Sequence, residues 1–210
     1  MRNLPSARSA KPGALFLILA LLLAACARPQ VEVKIALVAP FEGRYRAIGY
    51  EAFPAFRIAL RERAAQPGTR ITFVAYTDDG DPEKAEQIAR AVALDPQVIL
   101  VMGHFLPDTT ARALPVYTQA GLPVLVMGTP PAQFSSNPLV FVPPSAITQT
   151  RLPAPAAFAN YASVSGGAGP GAGSVGAYHA TRLALRAIDA AAQPTRAEVA
   201  SQLHRVDYAP

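Results

Sequence analysis

Cysteine is almost absent from the sequence, which has one in 210 residues, at position 26. A single cysteine cannot close a disulfide within the chain, so packing alone must hold the folded part together. Histidine is nearly as scarce, and no metal-ligand spacing joins its three residues, His104, His179 and His204. No serine stands in a G-x-S-x-G turn, and no pair of carboxylates is placed for acid–base chemistry. We therefore expect neither an enzyme nor a bound metal or other cofactor.

Long hydrophobic runs are also absent, apart from one near the N-terminus. Residues 14–25 are all apolar, but this dozen falls short of the roughly 20 residues that span a bilayer as a helix. The leader before this run contains no acidic residue and three basic ones, Arg2, Arg8 and Lys11. A basic leader followed by a short apolar run is typical of a secretory signal peptide.

The apolar run ends in Leu23-Ala24-Ala25-Cys26, which resembles the lipobox of bacterial lipoproteins. In a lipobox, small residues let the signal peptidase approach the backbone, and the cysteine thiol accepts the lipid. The resemblance implies a signal peptide over 1–25, lipidation at Cys26 and a tether over 26–32. The protein would then be anchored on the extracytoplasmic face of a bacterial membrane. The alternative is an ordinary signal peptide followed by a chance cysteine.

A strong excess of one charge is missing once the leader is set aside. The whole chain has 19 basic and 14 acidic residues, and three of the basic ones lie in the leader. The remaining 16 and 14 give a net charge of only +2, and no basic stripe with interleaved aromatic residues is present. The sequence therefore gives no indication of a nucleic-acid partner.

The part of the chain from Val31 to Val142 alternates between predicted strands and helices. The predicted strands are apolar runs over 33–39, 71–76, 98–102, 122–127 and 139–142. Nearly continuous apolar runs are typical of parallel strands that are covered on both faces. The pattern predicts an α/β fold with a doubly wound parallel sheet, formed by residues 33–150. The right-handed crossover rule predicts the strand order 2-1-3-4, with the fifth strand at the edge.

Local signals predict where several helices begin. Asp81-Pro82-Glu83 supplies an N-cap, a proline in the first turn and an acid beside it. Asp108 or Thr109 is expected to cap the next helix, which would run to Gly121. Thr195 and Glu198 have the spacing of a capping box. Pro54 fits the first predicted helix only in its first turn or at a kink.

Residues 151–176 are rich in proline and glycine, and we expect them to form a connector that buries little. The Gly169-Pro170-Gly171 stretch is not expected to bind phosphate, because no strand precedes it and no basic residue flanks Ser174. An amphipathic helix follows over 177–192, and a short helix begins near Thr195. We expect residues 177–210 to pack back on the α/β lobe.

Several ordered motifs resemble one protein family. They are Ile35-Ala-Leu-Val-Ala-Pro-Phe-Glu-Gly43, the acidic turn Asp78-Asp-Gly-Asp-Pro-Glu-Lys-Ala85, Tyr117-Thr-Gln-Ala-Gly-Leu-Pro-Val124, and the late Ala177-Tyr-His-Ala180 helix. In this order and spacing they resemble type I periplasmic binding proteins of the leucine/isoleucine/valine-binding kind, which serve ABC importers. Members of that family are roughly twice as long, and their second lobe lies where this chain has the connector. The resemblance implies a protein reduced to the first lobe, with the second lobe missing or vestigial.

The resemblance also implies a solute site at the carboxyl ends of the strands, where the strand order reverses. The loops there cover 41–48, 103–110 and 128–131. The implied ligand-binding residues are His104, Phe105, Asp108, Thr109, Thr110, Gly128 and Thr129. Two positions depart from the family pattern, because Pro107 stands where a hydroxyl is expected and Ile48 where an aromatic residue is common. A lone histidine such as His104 is more often structural than ligand-binding.

Two functions remain open at this point. The first is a solute-binding lipoprotein, or a single-lobe remnant of one, that works with an ABC permease and takes branched-chain amino acids or similar small solutes. The second is a non-transport surface module, in which the former inter-lobe face binds a protein partner or forms a homodimer. Asp78, Asp79 and Asp81 could suggest a metal or phosphoacceptor site, but turn formation and helix capping account for them.

Overall fold

The computed structural model describes residues 31–63, 68–143 and 154–207. The predicted signal peptide and the lipidation site Cys26 lie outside the described residues. Five parallel strands form one sheet in the order β2-β1-β3-β4-β5, which confirms the predicted fold class and strand order. The strands are β1 (Val31–Ala39), β2 (Thr69–Thr77), β3 (Val98–Met102), β4 (Val124–Leu125) and β5 (Val140–Phe141).

Helices cover both faces of this sheet. They are α1 (Arg46–Glu62), α2 (Pro82–Leu94), α3 (Pro107–Gln119), α4 (Tyr161–Ser165), α5 (Ala172–Ala190) and α6 (Arg196–Leu203). Short 3-10 turns occur at Gly43–Tyr45, Ala132–Phe134 and Ala156–Asn160. None of the described helices is long and apolar enough to cross a membrane.

The apolar character of β1 follows from its position between two hydrophobic layers. Ile35 and Leu37 belong to a cluster that includes α1 and α5, whereas Ala36 and Val38 belong to a cluster that includes α2 and α3. All four side chains are fully buried, because alternate residues of a strand point to opposite faces. A central strand covered on both sides therefore needs apolar residues at every position.

Two of the predicted helix starts are confirmed, and one is wrong. The Asp81 side chain accepts a hydrogen bond from the backbone N–H of Lys84, and the Thr195 hydroxyl accepts one from Glu198. Helix α3, however, begins at Pro107 with Leu106 at the N-cap, so neither Asp108 nor Thr109 caps it. Proline already has the backbone angle of a first helical residue and needs no partner for a missing N–H.

Pro54 lies in the middle of α1 and not in its first turn. Proline has no N–H to donate to the carbonyl four residues earlier, which removes one hydrogen bond from the helix. The ring is buried, as are the neighbouring Ala55 and Phe56. Burial of this apolar face offsets the lost hydrogen bond.

The predicted connector is partly wrong, because residues 156–165 fold and bury side chains. Phe158 is 8% exposed and Tyr161 is 1% exposed, both within the cluster formed with α1 and α5. The Tyr161 hydroxyl donates to the carbonyl of Glu51 at 2.7 Å and lies 2.9 Å from the Ser174 hydroxyl. These two aromatic anchors outweigh the proline-rich composition around them. Residues 166–170 are exposed, as the glycine run suggested, and the late helix begins at Ala172, five residues earlier than predicted.

Arg196, the first residue of α6, joins three elements at the amino edge of the sheet. Its guanidinium donates to four backbone carbonyls, those of Ala93 (3.1 Å), Asp95 (2.8 Å), Val98 (2.9 Å) and Ala120 (3.2 Å). These carbonyls lie at the end of α2, at the start of β3 and just after α3. The last carbonyls of a helix have no partner within it, so a guanidinium satisfies them well.

Candidate functional site

The loops at the carboxyl edge of the sheet are tied together by backbone hydrogen bonds. The N–H of Asp78, after β2, donates to the carbonyl of Ala39 at the end of β1. The N–H of Gly128, after β4, donates to the carbonyl of His104, after β3, at 2.9 Å. Because parallel strands all end at one edge, the three loops that the sequence named meet there, together with the loop after β2.

Two glycines allow this close approach. A Cβ at Gly103 would lie 2.1 Å from the carbonyl oxygen of Val38, and the residue has a φ of +137°. A Cβ at Gly128 would lie 2.6 Å from the carbonyl oxygen of Phe105. Both positions require glycine, the first also for its left-handed backbone. Gly128 therefore serves the spacing of the loops, and its N–H is already engaged by His104.

A buried polar chain lies directly beneath these loops. The Nδ1 atom of His104 lies 2.6 Å from Oδ2 of Asp78, and its Nε2 atom lies 3.2 Å from the hydroxyl of Tyr117. None of the three residues is more than 1% exposed. The second carboxylate oxygen of Asp78 accepts the N–H of Gly80. His104 is therefore placed inside the lobe, where it joins the loops after β2 and β3 to helix α3.

Burial raises the pKa of the Tyr117 hydroxyl well above its ordinary value near 10, and the nearby Asp78 carboxylate adds to the effect. The folded protein therefore keeps this proton at a pH where the unfolded chain releases it. Stability contributed in this way is fully present below the unfolded pKa and is lost as the pH rises above it.

We accordingly expect the free energy of unfolding to fall above about pH 10, with Tyr117 contributing roughly 1.4 kcal/mol per pH unit. Tyr117→Phe should lower stability at neutral pH, through loss of the contact with His104, but should give a shallower decline in alkali. Urea unfolding at several pH values would measure both slopes. If the free energy of unfolding falls equally steeply with pH in the two proteins, Tyr117 is not the group that causes the decline.

The acidic turn after β2 behaves as a turn and a cap. The Asp79 carboxylate accepts from the Thr77 hydroxyl at 2.5 Å and pairs with Lys84. The hydrogen bond from Lys84, followed by the one from Thr77, lowers the pKa of Asp79. Asp81 caps α2 and Asp78 bonds to His104. Turn formation and capping, which the sequence favoured, thus account for Asp79 and Asp81, whereas the bond between Asp78 and His104 was not expected.

The hydroxyls of Thr109 and Thr110 are directed into the first turn of α3. Both side chains are fully buried, and both hydroxyls donate to the carbonyl of Leu106, at 3.1 and 2.7 Å. Asp108 and Thr129 are exposed, and Phe105 is half-buried. Of the seven residues predicted for ligand binding, these last three present side chains at the surface of the edge.

An aromatic patch at the same edge was missed by the sequence reading. Phe41 packs edge-on against Tyr50 and Phe53, with ring centroids 6.3 and 6.0 Å apart. Tyr50 remains 58% exposed. The signal was present, because aromatic residues cluster just after β1 and on the first turns of α1. The aromatic residue expected at Ile48 is instead Tyr50, two residues further on.

A parallel sheet in this order, with helices on both faces, agrees with one α/β lobe of the type I periplasmic binding protein fold. The chain belongs to the periplasmic binding protein family, whose sequence profile matches residues 32–154. No protein of curated function matches the sequence.

Solved structures show the same fold. The chain is similar to a candidate branched-chain amino acid ABC transporter from Rhodospirillum rubrum, with a TM-score of 0.72 and 15% identity over 85% of this chain and 90% of that one. It is also similar to the leucine-binding protein LivK from Thermotoga maritima, with a TM-score of 0.64 and 12% identity over 81% of this chain and 87% of that one. At such identities the likeness establishes the fold alone.

A third structure is the branched-chain amino acid transporter substrate-binding protein LivJ from Streptococcus pneumoniae, solved in complex with isoleucine. The TM-score is 0.50 and the identity 20%, over 63% of this chain. The match covers only 38% of the S. pneumoniae protein. Against that relative, this chain provides one lobe, which agrees with the single five-stranded sheet of the described residues.

Proposed function

We propose that this protein is a lipid-anchored, extracytoplasmic solute-binding lobe of an ABC importer. Its solutes would be branched-chain amino acids or similar small amphipathic molecules. The observation that carries the proposal is the family match over 32–154, which covers the whole carboxyl edge of the sheet. Family members bind solutes and are not enzymes, and the lipobox-like sequence at Cys26 supports the anchor.

The surface of the edge supplies the chemistry that such a solute needs. The Asp108 carboxylate is exposed and could hold an ammonium group, while the Thr129 hydroxyl could donate to a carboxylate. The exposed ring of Tyr50 and the half-buried rings of Phe41 and Phe105 offer apolar surface for a side chain. His104, Thr109 and Thr110 would act from beneath, by fixing the loops that carry these groups.

A thermal-shift screen tests the proposal on the chain from Ala27 onwards. A solute that binds only the folded state, at 100 times its Kd, stabilises it by about 2.7 kcal/mol. For a domain of this size that corresponds to a rise in Tm of roughly 5–10 °C. We expect such a rise with one class of small amphipathic solute, and its loss in Asp108→Asn.

Glu83→Gln is the matched control, because Glu83 is likewise an exposed acid in the first turn of a helix. It should leave the shift intact, so that the general effect of removing an acid from this edge is separated from a contact with Asp108 itself. A shift that survives Asp108→Asn would remove Asp108 from the site. No shift with any amino acid, small amide or short peptide, in a protein that melts cooperatively, would contradict solute binding by the lone lobe.

One observation favours a second function, in which the carboxyl edge binds a protein or another copy of the chain. Closing two lobes round a ligand buries most of its surface, and a single lobe cannot do so. Tyr50, 58% exposed above a packed aromatic patch, is the kind of residue that anchors protein interfaces. If the solute panel gives no shift, self-association would support this function. It would appear as a sedimentation coefficient that rises with protein concentration, and Tyr50→Ser should remove that rise.

A further inference from the structure

The opposite edge of the sheet, where the strands begin, carries exposed apolar side chains. Leu94, the last residue of α2, is 84% exposed, and Val31, the first residue of β1, is 48% exposed. Single exposed apolar residues are common on proteins, but these two line the same feature. It is an open groove of about 590 Å³, and its apolar lining includes Val31, Val33, Leu94, Pro96, Pro194 and Ala197.

Basic residues outnumber acidic ones around this amino edge. Helices α1, α2 and α5 end there, and β1, β2 and α6 begin there. The basic residues in these parts are Lys34, Arg61, Arg63, Arg70, Arg186 and Arg196, and the acidic ones are Glu32, Glu62, Asp95, Asp189 and Glu198. Lys34 pairs with Asp95, and Arg63 pairs with Asp189. The loops of the carboxyl edge have the reverse balance, with the acidic Glu42, Asp78, Asp79, Asp81, Glu83 and Asp108 against the basic Arg44, Arg46 and Lys84. The lobe therefore has a slightly positive end and a more negative one.

The positive end is the one that adjoins the predicted anchor. Val31 follows Cys26 by five residues, and five residues extend to at most about 18 Å. If Cys26 carries the lipid, the start of β1 cannot lie further than that from the membrane surface. Residues of the groove that Val31 lines are then held beside the bilayer.

We propose that the amino edge rests on the lipid bilayer, with Leu94 inserted at the headgroup level. This inference depends on the proposed lipid anchor and adds an orientation to it. Burial of Leu94 and of the groove removes apolar surface from water, and the exposed Arg61 and Arg70 complement anionic lipid headgroups. The electrostatic attraction acts only within about 8 Å at physiological salt, a range that the short tether allows.

Site-specific fluorescence tests the orientation in the lipidated protein. Because lipidation consumes the thiol of Cys26, a cysteine introduced by Leu94→Cys is the only one that can be labelled. Tyr50→Cys is the matched control, since Tyr50 is an exposed apolar residue at the opposite edge. Each labelled protein is reconstituted into phosphatidylglycerol–phosphatidylcholine vesicles that contain a lipid with a spin label on its headgroup.

We expect the fluorophore at position 94 to lose most of its emission, and the one at position 50 to keep it. The nine residues of β1 separate the edges by about 30 Å, too far for the same lipids to quench both. Adding Arg70→Glu to the Leu94→Cys protein should weaken the quenching, because Arg70 is an exposed basic residue of this edge.

Three results would overturn the inference. Equal quenching at the two positions would mean that the lobe has no fixed orientation. In the second, neither a soluble quencher nor the lipid label lowers the emission of the fluorophore at position 94, which would mean that a second copy of the chain covers the groove. Absence of the lipid from Cys26, seen by mass spectrometry of the membrane-extracted protein, would overturn the proposed anchor as well, whereas the first two results would leave the anchor standing.

Discussion

Replacing Asp78 with alanine is expected to lower the free energy of unfolding by about 3–5 kcal/mol. Asp78 and His104 are both buried, their side chains lie 2.6 Å apart, and Asp78 also accepts the N–H of Gly80. Removing the carboxylate leaves two donors in the interior without an acceptor. Since a domain is typically stable by only 5–15 kcal/mol, so large a loss should appear as a much lower Tm in calorimetry or urea unfolding.

Asp81→Ala provides the control within the same turn. Asp81 is exposed and caps α2, so its loss should cost only about 1 kcal/mol. The double variant Asp78→Ala/His104→Ala completes a cycle, and the two effects should be far from additive because the side chains are in direct contact. If Asp78→Ala is no more harmful than Asp81→Ala, the buried pair does not hold the loops of the carboxyl edge together.

The second large effect is expected at Arg196. Arg196→Ala should cost about 2–4 kcal/mol, because hydrogen bonds from a charged donor contribute more than neutral ones and four carbonyls lose this donor. Arg196→Lys should recover little of this. A lysine ammonium is compact, so it cannot reach carbonyls that a planar guanidinium contacts from several nitrogens at once. Urea unfolding of both variants would measure the loss.

Arg90→Ala is the matched control for Arg196, since it also removes an arginine, from the helix α2 that Arg196 contacts. The Arg90 side chain is 67% exposed and pairs with Glu86 one helical turn away, so its removal should change stability little. An Arg196→Lys protein as stable as the original would show that charge alone, and not the fork of donors, joins α2, β3 and α3.

The sequence predicted the sheet well because its signals are local and repeated. In β1 every residue from Ile35 to Ala39 is apolar and buried, and such a run requires cover on both faces. Asp81-Pro82 and Thr195 carry their cap signals within four residues. The start of α3 was missed by a few residues, whereas the error in the connector depended on a distant contact, since Tyr161 is held by Glu51, 110 positions away. Composition around Tyr161 gave no indication of that partner.

Topology predicted the edge of the sheet at which the candidate residues lie, but it did not predict how deeply each of them is buried. The positions after β3 and β4 lie at the carboxyl edge, as expected of a doubly wound sheet. Which side chains reach the surface depends on packing between segments. His104 is buried because Asp78 and Tyr117, which belong to two other elements, both contact its ring. The order of residues along the sequence does not reveal such contacts. Its role as a ligand contact stays a prediction that this placement does not favour.

If the chain is anchored through Cys26 and binds a solute as proposed, the polarity of the parallel sheet sets the route that the solute must take. The anchor would join the chain where β1 begins, and the exposed Asp108, Thr129 and Tyr50 lie where the strands end, about 30 Å away. A permease in the same membrane would then lie beneath the first edge, while the second edge would open to the surrounding fluid. A lobe that rests on its amino edge would therefore need one orientation to bind the solute and another to pass it to the permease. The short segment between Cys26 and Val31, which extends to at most about 18 Å, would then limit how far the lobe can turn between the two orientations.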